Sequence, residues 1–500
     1  MPWHVSTRKN NESKHNLFAK NAKITHNLRM EKRNTQETLV TILTLILGSV
    51  YCLFYLSAGF NIWLYLFCFG LIIIFILLYP AVGLYAMVFL TMVFERNFTL
   101  STIILNENTY KFYPLDLLLI VTFLAVIWRA DLKRFFNWQK NKLFYLSFLG
   151  FSFIFFIAFI RAYLNGSDIA DGFSTLKNYL FYSIFFFIVK DIIIDKIQWQ
   201  RLLQIIYSGA CGIVIIFLIN FFGGVGIFTE FIPLSTYGVR YLGGGQAFYL
   251  LIAIIFLLHH LSQSNKYQKA DLFHWLLLVF SFFGLAFSLL RHLWLGFFVC
   301  LIFLFIFDNF QQKKNLLKTL FIAAGVFAGL LAVIYLFNNL AQSNDTTAVD
   351  LIYSLKIRLA SLLGASGYTD ESALWRTEAW KAAAKLFAGS WLFGIGLAQR
   401  IYVELFGWES EILVRDLHND FIAIALQTGV IGFSFFVWFL VEIAKKSWHL
   451  IKNNYALPVI ALLVLFLFSA NFGTYFDINL LVIFFWLGLG LLESAKTIKT

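Results

Sequence analysis

The sequence predicts an all-α protein that crosses a membrane many times. Of its 500 residues, 60% are hydrophobic and only 13% are charged, and the mean hydropathy is +0.77. One water-soluble core cannot bury that much apolar surface, so much of it must face lipid. Apolar runs long enough to cross a bilayer as helices, which takes about 20 residues, recur along the chain. We therefore expect about 12–14 transmembrane helices and one large loop outside the membrane.

The candidate transmembrane segments number fourteen. The third, fourth and thirteenth are short, so the number of true crossings is predicted only as a range. In chain order the segments are 38–58, 61–79, 80–95, 114–130, 142–164, 175–191, 200–222, 242–262, 271–290, 291–308, 316–338, 419–443, 456–472 and 478–495.

Residues 1–37 form a basic segment ahead of the first apolar run. They contain eight Lys and Arg residues, few acids and almost no apolar periodicity. This composition is typical of a disordered tail. No short apolar region with a cleavage site follows, so the segment is not expected to be a signal peptide. Met30, just before the first apolar run, is an alternative start site.

The distribution of charge predicts the orientation. If the N-terminus is cytoplasmic, most of the 39 Lys and Arg residues fall in short cytoplasmic segments, as the positive-inside rule requires. Both termini are then cytoplasmic. The chain divides into the basic tail 1–37, an N-terminal bundle 38–338, a large periplasmic loop 339–418 and a C-terminal membrane segment 419–500 with three helices. The net charge of +12 thus reflects topology, and no nucleic-acid partner is indicated.

The large loop contains one predicted helix, from Ser372 to Ser390. Its apolar residues recur at i, i+3 and i+4, which is typical of an amphipathic helix lying on the membrane or capping the bundle. These residues are Leu374, Trp375, Ala379, Ala382, Ala383 and Leu386. Gly389, Gly394 and Gly396 are expected to end the helix.

No metal, disulfide or cofactor site is predicted. The cysteines lie inside apolar runs and form no CxxC pair. There is also no HExxH motif and no Asp-x-Asp on an outward loop. The four cysteines are Cys52, Cys68, Cys211 and Cys300.

His418 is the best candidate for acid-base chemistry. Only His292 and His418 are predicted at the outer surface, and His418 is followed by Asn419 and Asp420 at the start of an apolar run. An imidazole with a pKa near neutrality accepts a proton from a hydroxyl group, so it suits a general base. The alternative is a surface histidine on a helix capped by Asn419 or Asp416.

Several arginines are also predicted at the outer face. A planar guanidinium binds phosphate or pyrophosphate through paired charge-assisted hydrogen bonds. The alternative for each arginine is interfacial snorkelling. Asp116, at the outer start of a helix, is a candidate partner for one of them. The arginines are Arg161, Arg240, Arg291, Arg358, Arg376, Arg400 and Arg415.

Residues 140–495 resemble the O-antigen ligase and polymerase superfamily of bacterial envelope glycosyltransferases. The ligase signature, His-Asn, nine residues and then Gly-x-x-Gly, is matched by His418, Asn419, Gly429 and Gly432. The Arg-x-x-x-Leu motif is matched from Arg291 to Leu295. Arg376, Trp380, Gly394 and Gly396 are similar to further family positions. Departures are Phe433, where a Thr is common, and two extra N-terminal helices.

The resemblance implies a GT-C-like membrane glycosyltransferase of lipopolysaccharide biosynthesis in the inner membrane. Its donor would be a glycan on undecaprenyl pyrophosphate, with no metal or other cofactor. The acceptor would be lipid A-core for a ligase, another lipid-linked glycan for an O-antigen or exopolysaccharide polymerase, or a protein hydroxyl. His418 and Arg291 would be catalytic, Arg291, Arg376, Arg240 and Arg358 would bind pyrophosphate, and Asn419, Gly429, Gly432 and Asp116 would support them.

A transporter is the alternative from another functional class. In a transporter, arginines and aromatic residues line a path through the membrane, and substrate sites lie near the midplane. Here the polar candidates cluster at one face, which favours a transferase.

Overall fold

A computed structural model of the chain describes residues 34–105, 108–129, 141–223, 241–263, 269–340, 371–405 and 408–498. The described chain is a helical bundle with two short antiparallel hairpins in its loops. The predicted fold class, an all-α polytopic membrane protein, is confirmed. Of the described helices, seven are long and apolar enough to cross a membrane.

The helices of the first half are α1 (Asn34–Ala58), α2 (Ile62–Leu78), α3 (Pro80–Phe94), the short α4 (Arg96–Thr99), α5 (Pro114–Arg129), α6 (Lys142–Leu164), α7 (Ile169–Leu180), α8 (Ile184–Ile192) and α9 (Lys196–Gly223). The hairpin of β1 (Ile103–Leu105) and β2 (Asn108–Tyr110) precedes α5. A 3-10 turn, Phe181–Ser183, joins α7 to α8 into one continuous span.

The second half contains α10 (Gly244–Gln263), α11 (Lys269–Phe287), α12 (Arg291–Phe307), α13 (Phe310–Leu340), α14 (Glu371–Ser390), α15 (Asp420–Leu450), α16 (Ala456–Ser469) and α17 (Asn479–Ser494). The hairpin of β3 (Arg400–Leu405) and β4 (Trp408–Leu413) lies between α14 and α15, followed by the 3-10 helix Val414–Leu417. Each of the fourteen predicted segments coincides with a helix or, for 175–191, with the joined α7 and α8.

The first helix begins inside the segment predicted as tail. α1 starts at Asn34, and Glu37 forms an ion pair of 2.9 Å with Arg201 of α9. The predicted tail boundary at residue 37 is therefore too late, because a partner on another helix holds the first turn. Residues 1–33 lie outside the described part of the chain.

The centre of the bundle is formed by α3, α10, α16 and α17. Most residues of these helices are buried, whereas α1, α2, α6 and α13 carry many exposed large apolar side chains. An exposed apolar surface of that extent is stable only against lipid. The peripheral helices therefore contact the bilayer, and the central ones are shielded by protein.

A small cap lies over the end of the bundle where α15 begins, here called the His418 end. We define the cap as residues 371–405 and 408–417. Its own hydrophobic cluster joins Ala379 and Ala383 of α14 to Ile401 and Val403 of β3. Of the predicted apolar face of α14, Ala379 and Ala383 are buried, whereas Leu374 and Leu386 are exposed. The helix packs on the hairpin and on α15 through its small alanines.

Candidate functional site

His418 occupies a strained position between the cap and α15. It ends the 3-10 helix Val414–Leu417 with φ 53° and ψ 29°, which is the left-handed region. Residues other than glycine rarely adopt this conformation. Its cost in free energy must be offset by favourable contacts around it. The side chain of His418 remains exposed.

Asn419 and Asp420 tie this turn to the loop between α16 and α17. Asn419 Oδ1 accepts a hydrogen bond from the Ile422 N–H (3.1 Å), and its Nδ2 donates to the Asn471 carbonyl (3.2 Å). Asn419, and not Asp416, is therefore the N-cap of α15. These two contacts fix the backbone next to His418, and the supporting role of Asn419 in catalysis stays a prediction.

Asp420 is buried and organises the same loop. Its Oδ2 accepts hydrogen bonds from the backbone N–H groups of Tyr475 (2.6 Å) and Phe476 (2.9 Å). Its own N–H donates to the Ala470 carbonyl (2.9 Å). A buried carboxyl oxygen that accepts two backbone hydrogen bonds ties together segments that are distant in sequence. The backbone on the C-terminal side of His418 is consequently fixed.

The cap supplies the neighbours of the His418 ring. The ring of Trp375 lies edge-on to it, with centroids 5.4 Å apart, and Trp380 Nε1 donates to the Leu417 carbonyl (2.9 Å). Arg376 follows Trp375 on α14. Partial burial of the ring, and then the positive charge of Arg376, lower the pKa of His418 below its usual value. The lowered pKa favours the neutral imidazole, which has a lone pair that can accept a proton.

Arg291 lies at the same end of the bundle. It is the first residue of α12, after Leu289 with φ 55° separates this helix from α11, as the two apolar runs predicted. The next residue, His292, contacts the Tyr475 hydroxyl through Nε2 (3.2 Å). Since Asp420 binds the Tyr475 N–H, one loop connects the start of α12 to the turn that carries His418.

Asp116 is engaged by a lysine. Its Oδ2 pairs with Lys177 of α7 at 2.9 Å, and its Oδ1 accepts a hydrogen bond from the Tyr182 hydroxyl at 2.6 Å. It also accepts from the Tyr113 N–H (3.1 Å), which fixes the start of α5. The prediction of an arginine partner is wrong, because α7 brings a lysine to this carboxylate. Through these contacts Asp116 joins α5 to α7.

Polar residues that the sequence analysis did not single out complete this end. Asn178 Nδ2 donates to Asp477 Oδ1 (3.0 Å), and Asn479 Nδ2 donates to the Thr99 carbonyl (2.7 Å). Burial raises the pKa of Asp477 to about 7, with Arg415 among the charges acting against the shift. The signal available in the sequence was an amide or carboxylate inside or next to an apolar run.

The two signature glycines have different neighbours. α15 is interrupted at Gly429, whose φ of 68° and ψ of −174° are not helical. A Cβ at Gly429 would overlap the backbone of residues 392 and 394, whereas a Cβ at Gly432 would overlap Ile154 of α6. Close helix approach is therefore confirmed for Gly432, while Gly429 approaches a loop of the cap.

That loop fills the break in α15. The Ile395 and Gly396 N–H groups donate to the carbonyls of residues 426 and 427 at 2.9 and 3.1 Å. In return, the Val430 and Ile431 N–H groups donate to the carbonyls of residues 391 and 392 at 2.8 and 3.3 Å. Backbone groups within a membrane must find partners in the protein. Segment 391–396 satisfies four groups that the interruption leaves free.

Of the four arginines predicted to bind pyrophosphate, Arg376 is placed beside His418 and Arg291 at the same end. Arg240 and Arg358 lie outside the described residues. Among the residues that the structure describes, no three His, Cys, Asp or Glu side chains form a group suited to a metal ion.

Residues 276–437 match the family model described as O-antigen ligase. The match supports the similarity of this stretch to the O-antigen ligase and polymerase superfamily. It runs from α11 through the cap into α15 and includes Arg291, Arg376, His418, Gly429 and Gly432. The resemblance predicted from the motifs is thereby confirmed. The family points to a transferase of the ligase or polymerase type that acts on lipid-linked glycans. No curated protein matches the chain.

Proposed function

We propose that this protein is an O-antigen ligase, which transfers a glycan from undecaprenyl pyrophosphate to lipid A-core at the periplasmic face of the inner membrane. One observation carries the proposal. His418 is exposed in a braced, left-handed turn, and its pKa is lowered beside Arg376. A neutral imidazole next to a guanidinium provides a base and an anion-binding group within one site.

His418 would act as the general base. It takes the proton from an acceptor hydroxyl as the oxygen forms a bond to the anomeric carbon of the donor glycan. The bond from that carbon to the pyrophosphate oxygen breaks, and the pyrophosphate leaves with the electron pair. Positioned bases of this kind contribute about 10²–10⁴-fold to the rate.

Arginines would stabilise the leaving group. Arg291 and Arg376 are placed at the His418 end, and Arg240 and Arg358 are proposed to join them. Guanidinium groups neutralise the charge that develops on a departing pyrophosphate. In other enzymes a divalent cation neutralises this charge. We therefore propose a reaction that needs no metal ion.

The first test is transfer by the purified protein in lipid nanodiscs, with a lipid-linked glycan and lipid A-core as substrates. His418→Ala is expected to lower the rate at least about 10²-fold because the base is lost, and Arg291→Ala is expected to abolish transfer. His449→Ala is the matched control, since His449 lies near the far end of the same helix. Wild-type rates in His418→Ala or Arg291→Ala would refute the mechanism.

The second test concerns the metal. Transfer by the wild-type protein is expected to continue at an unchanged rate in excess chelator, because arginines carry out the neutralisation. The rate is measured with chelator alone and with Mg²⁺ restored. A strict Mg²⁺ requirement would contradict the proposal.

The acceptor is tested in cells. A strain lacking the protein should display lipid A-core without any polymer when its surface glycans are separated on a gel. Core that bears a single repeat would instead identify an O-antigen polymerase, which joins lipid-linked glycans to one another. Complementation with the His418→Ala variant should leave either pattern unchanged.

A further inference from the structure

We infer that the end of the bundle opposite His418 binds the phosphate headgroup of an anionic phospholipid. The site is a lysine cluster, defined as Lys190, Lys446 and Lys496 around Glu493. These residues come from the far ends of α8, α15 and α17. The inference does not depend on the proposed glycan transfer.

Glu493 is the centre of the cluster. Lys446 forms an ion pair with its Oε2, and Lys496 Nζ lies 3.2 Å from the same oxygen. Asn141, just before α6, donates from Nδ2 to the other oxygen, Oε1, at 3.1 Å. Lys190 donates to the Tyr145 hydroxyl (3.1 Å) and interacts electrostatically with Glu493 and with its own neighbour Asp191. Four helices therefore meet at this site.

Among the residues that the structure describes, the charges around Glu493 do not balance. Lys446 and Lys496 share its one carboxylate, Lys190 and its neighbour Asp191 add one charge of each sign, and the exposed Lys142 beside Asn141 adds a further positive charge. Asp116 with Lys177, by contrast, is a one-to-one pair. An excess of charge in a poorly hydrated site is costly unless an ion of opposite sign compensates it. The cluster consequently favours an anion.

Its surroundings favour a lipid as the source of that anion. The Lys446 side chain is only 9% exposed, and its Nζ lies 4.4 Å from the centre of the Phe144 ring. On the same turn of α6, Leu143 and Leu146 are 55% and 43% exposed. An anionic phospholipid fits this arrangement. Its acyl chains would contact the exposed leucines, and its phosphate would contact the ammonium groups at the helix ends.

The inference is tested on the purified, delipidated full-length protein in detergent. The thermal unfolding midpoint is measured as phosphatidylglycerol is added, in parallel with phosphatidylcholine of the same acyl chains and with inorganic phosphate. Phosphatidylglycerol is expected to raise the midpoint saturably, and the other two are not. Lys496→Gln should require about fivefold more phosphatidylglycerol for half of the shift, as expected for one lost lysine near a headgroup.

Two further variants separate charge from structure. Lys496→Arg keeps the charge and should respond like the wild type. Lys445→Gln removes a neighbouring lysine that is 61% exposed and pairs with Glu442, so its response should also be unchanged. Equal responses of Lys496→Gln and the wild type, or equal effects of the two lipids, would overturn the inference. A saturable shift with inorganic phosphate would assign the cluster to a soluble anion instead.

Discussion

His418 is held in its left-handed backbone conformation by contacts on both sides of it in the chain. On the N-terminal side, Trp380 binds the carbonyl of Leu417, and on the C-terminal side Asn419 and Asp420 bind the loop between α16 and α17. Each of these hydrogen bonds stabilises the fold by about 0.5–1.5 kcal/mol. Together they offset the cost of the strained residue and keep its side chain exposed.

The electrostatic effect of Arg376 on His418 has a measurable consequence for the pH dependence of transfer. The base must be neutral, and the pKa of His418 lies below its usual value, so activity should persist below pH 6.5 and decline only as pH falls through that lowered pKa. Arg376→Gln removes the cation and raises the pKa of His418. The acidic limb of the rate profile is therefore expected to move to higher pH.

The profile is measured under saturating donor, so that weaker pyrophosphate binding by Arg376→Gln does not obscure the shift. Lys381→Gln is the matched control, because Lys381 is also on α14 and pairs with Glu378 at the surface. An acidic limb at the same pH in wild type and Arg376→Gln would show that Arg376 does not act on His418.

At the scale of elements, the interruption of α15 joins the cap to the bundle. The backbone of segment 391–396 pairs with both sides of the break at Gly429, and Gly394, with φ 71°, packs against the carbonyl of Gln427. Only residues without a Cβ permit this approach. The same pairing holds α14, and with it Trp375 and Arg376, over His418. The second signature glycine, Gly432, lies where α15 packs against α6, and its missing Cβ leaves room for Ile154.

Gly429→Ala is expected to destabilise the protein and to reduce transfer. The conformation of Gly429 is accessible almost only to glycine, so strain alone should cost about 1–3 kcal/mol, and overlap with the loop adds to that. The measurement is the thermal unfolding midpoint in detergent together with the rate. Gly389→Ala provides the comparison, because Gly389 lies inside α14 with open space around its Cα. Equal midpoints for the two variants would argue against the pairing as a stabilising contact.

At the scale of the whole molecule, the candidate site and the lysine cluster occupy opposite ends. The His418 end carries the cap and the polar ties among α5, α7, α15 and α17, while the far end carries the lysine cluster. This asymmetry agrees with the orientation that we propose from the positive-inside rule, in which the cap is periplasmic and both termini are cytoplasmic.

The proposed orientation predicts the result of cysteine labelling in intact cells. Tyr402→Cys, in the cap at a residue that is 68% exposed, should react with a maleimide that cannot enter the cytoplasm. Lys445→Cys, near the far end of α15, should react only after the inner membrane is permeabilised. The background is expected to be low because Cys52, Cys68 and Cys300 are buried and Cys211 is partly buried. The reverse labelling pattern would refute the orientation.

The sequence by itself determined where the helices lie and which turn carries the candidate base. Each span is a local property, since about 20 consecutive apolar residues are needed to cross the membrane whatever their neighbours are. The spacing from His418 to Gly429 and Gly432 is equally local, and it was sufficient to indicate the family. Lys177 as the partner of Asp116, the tie from Asp420 to the loop at Tyr475, and the insertion of segment 391–396 at Gly429 were decided only by the tertiary structure. These contacts join residues far apart in the chain, and a polar group buried among helices takes whichever partner the packing brings within hydrogen-bonding distance.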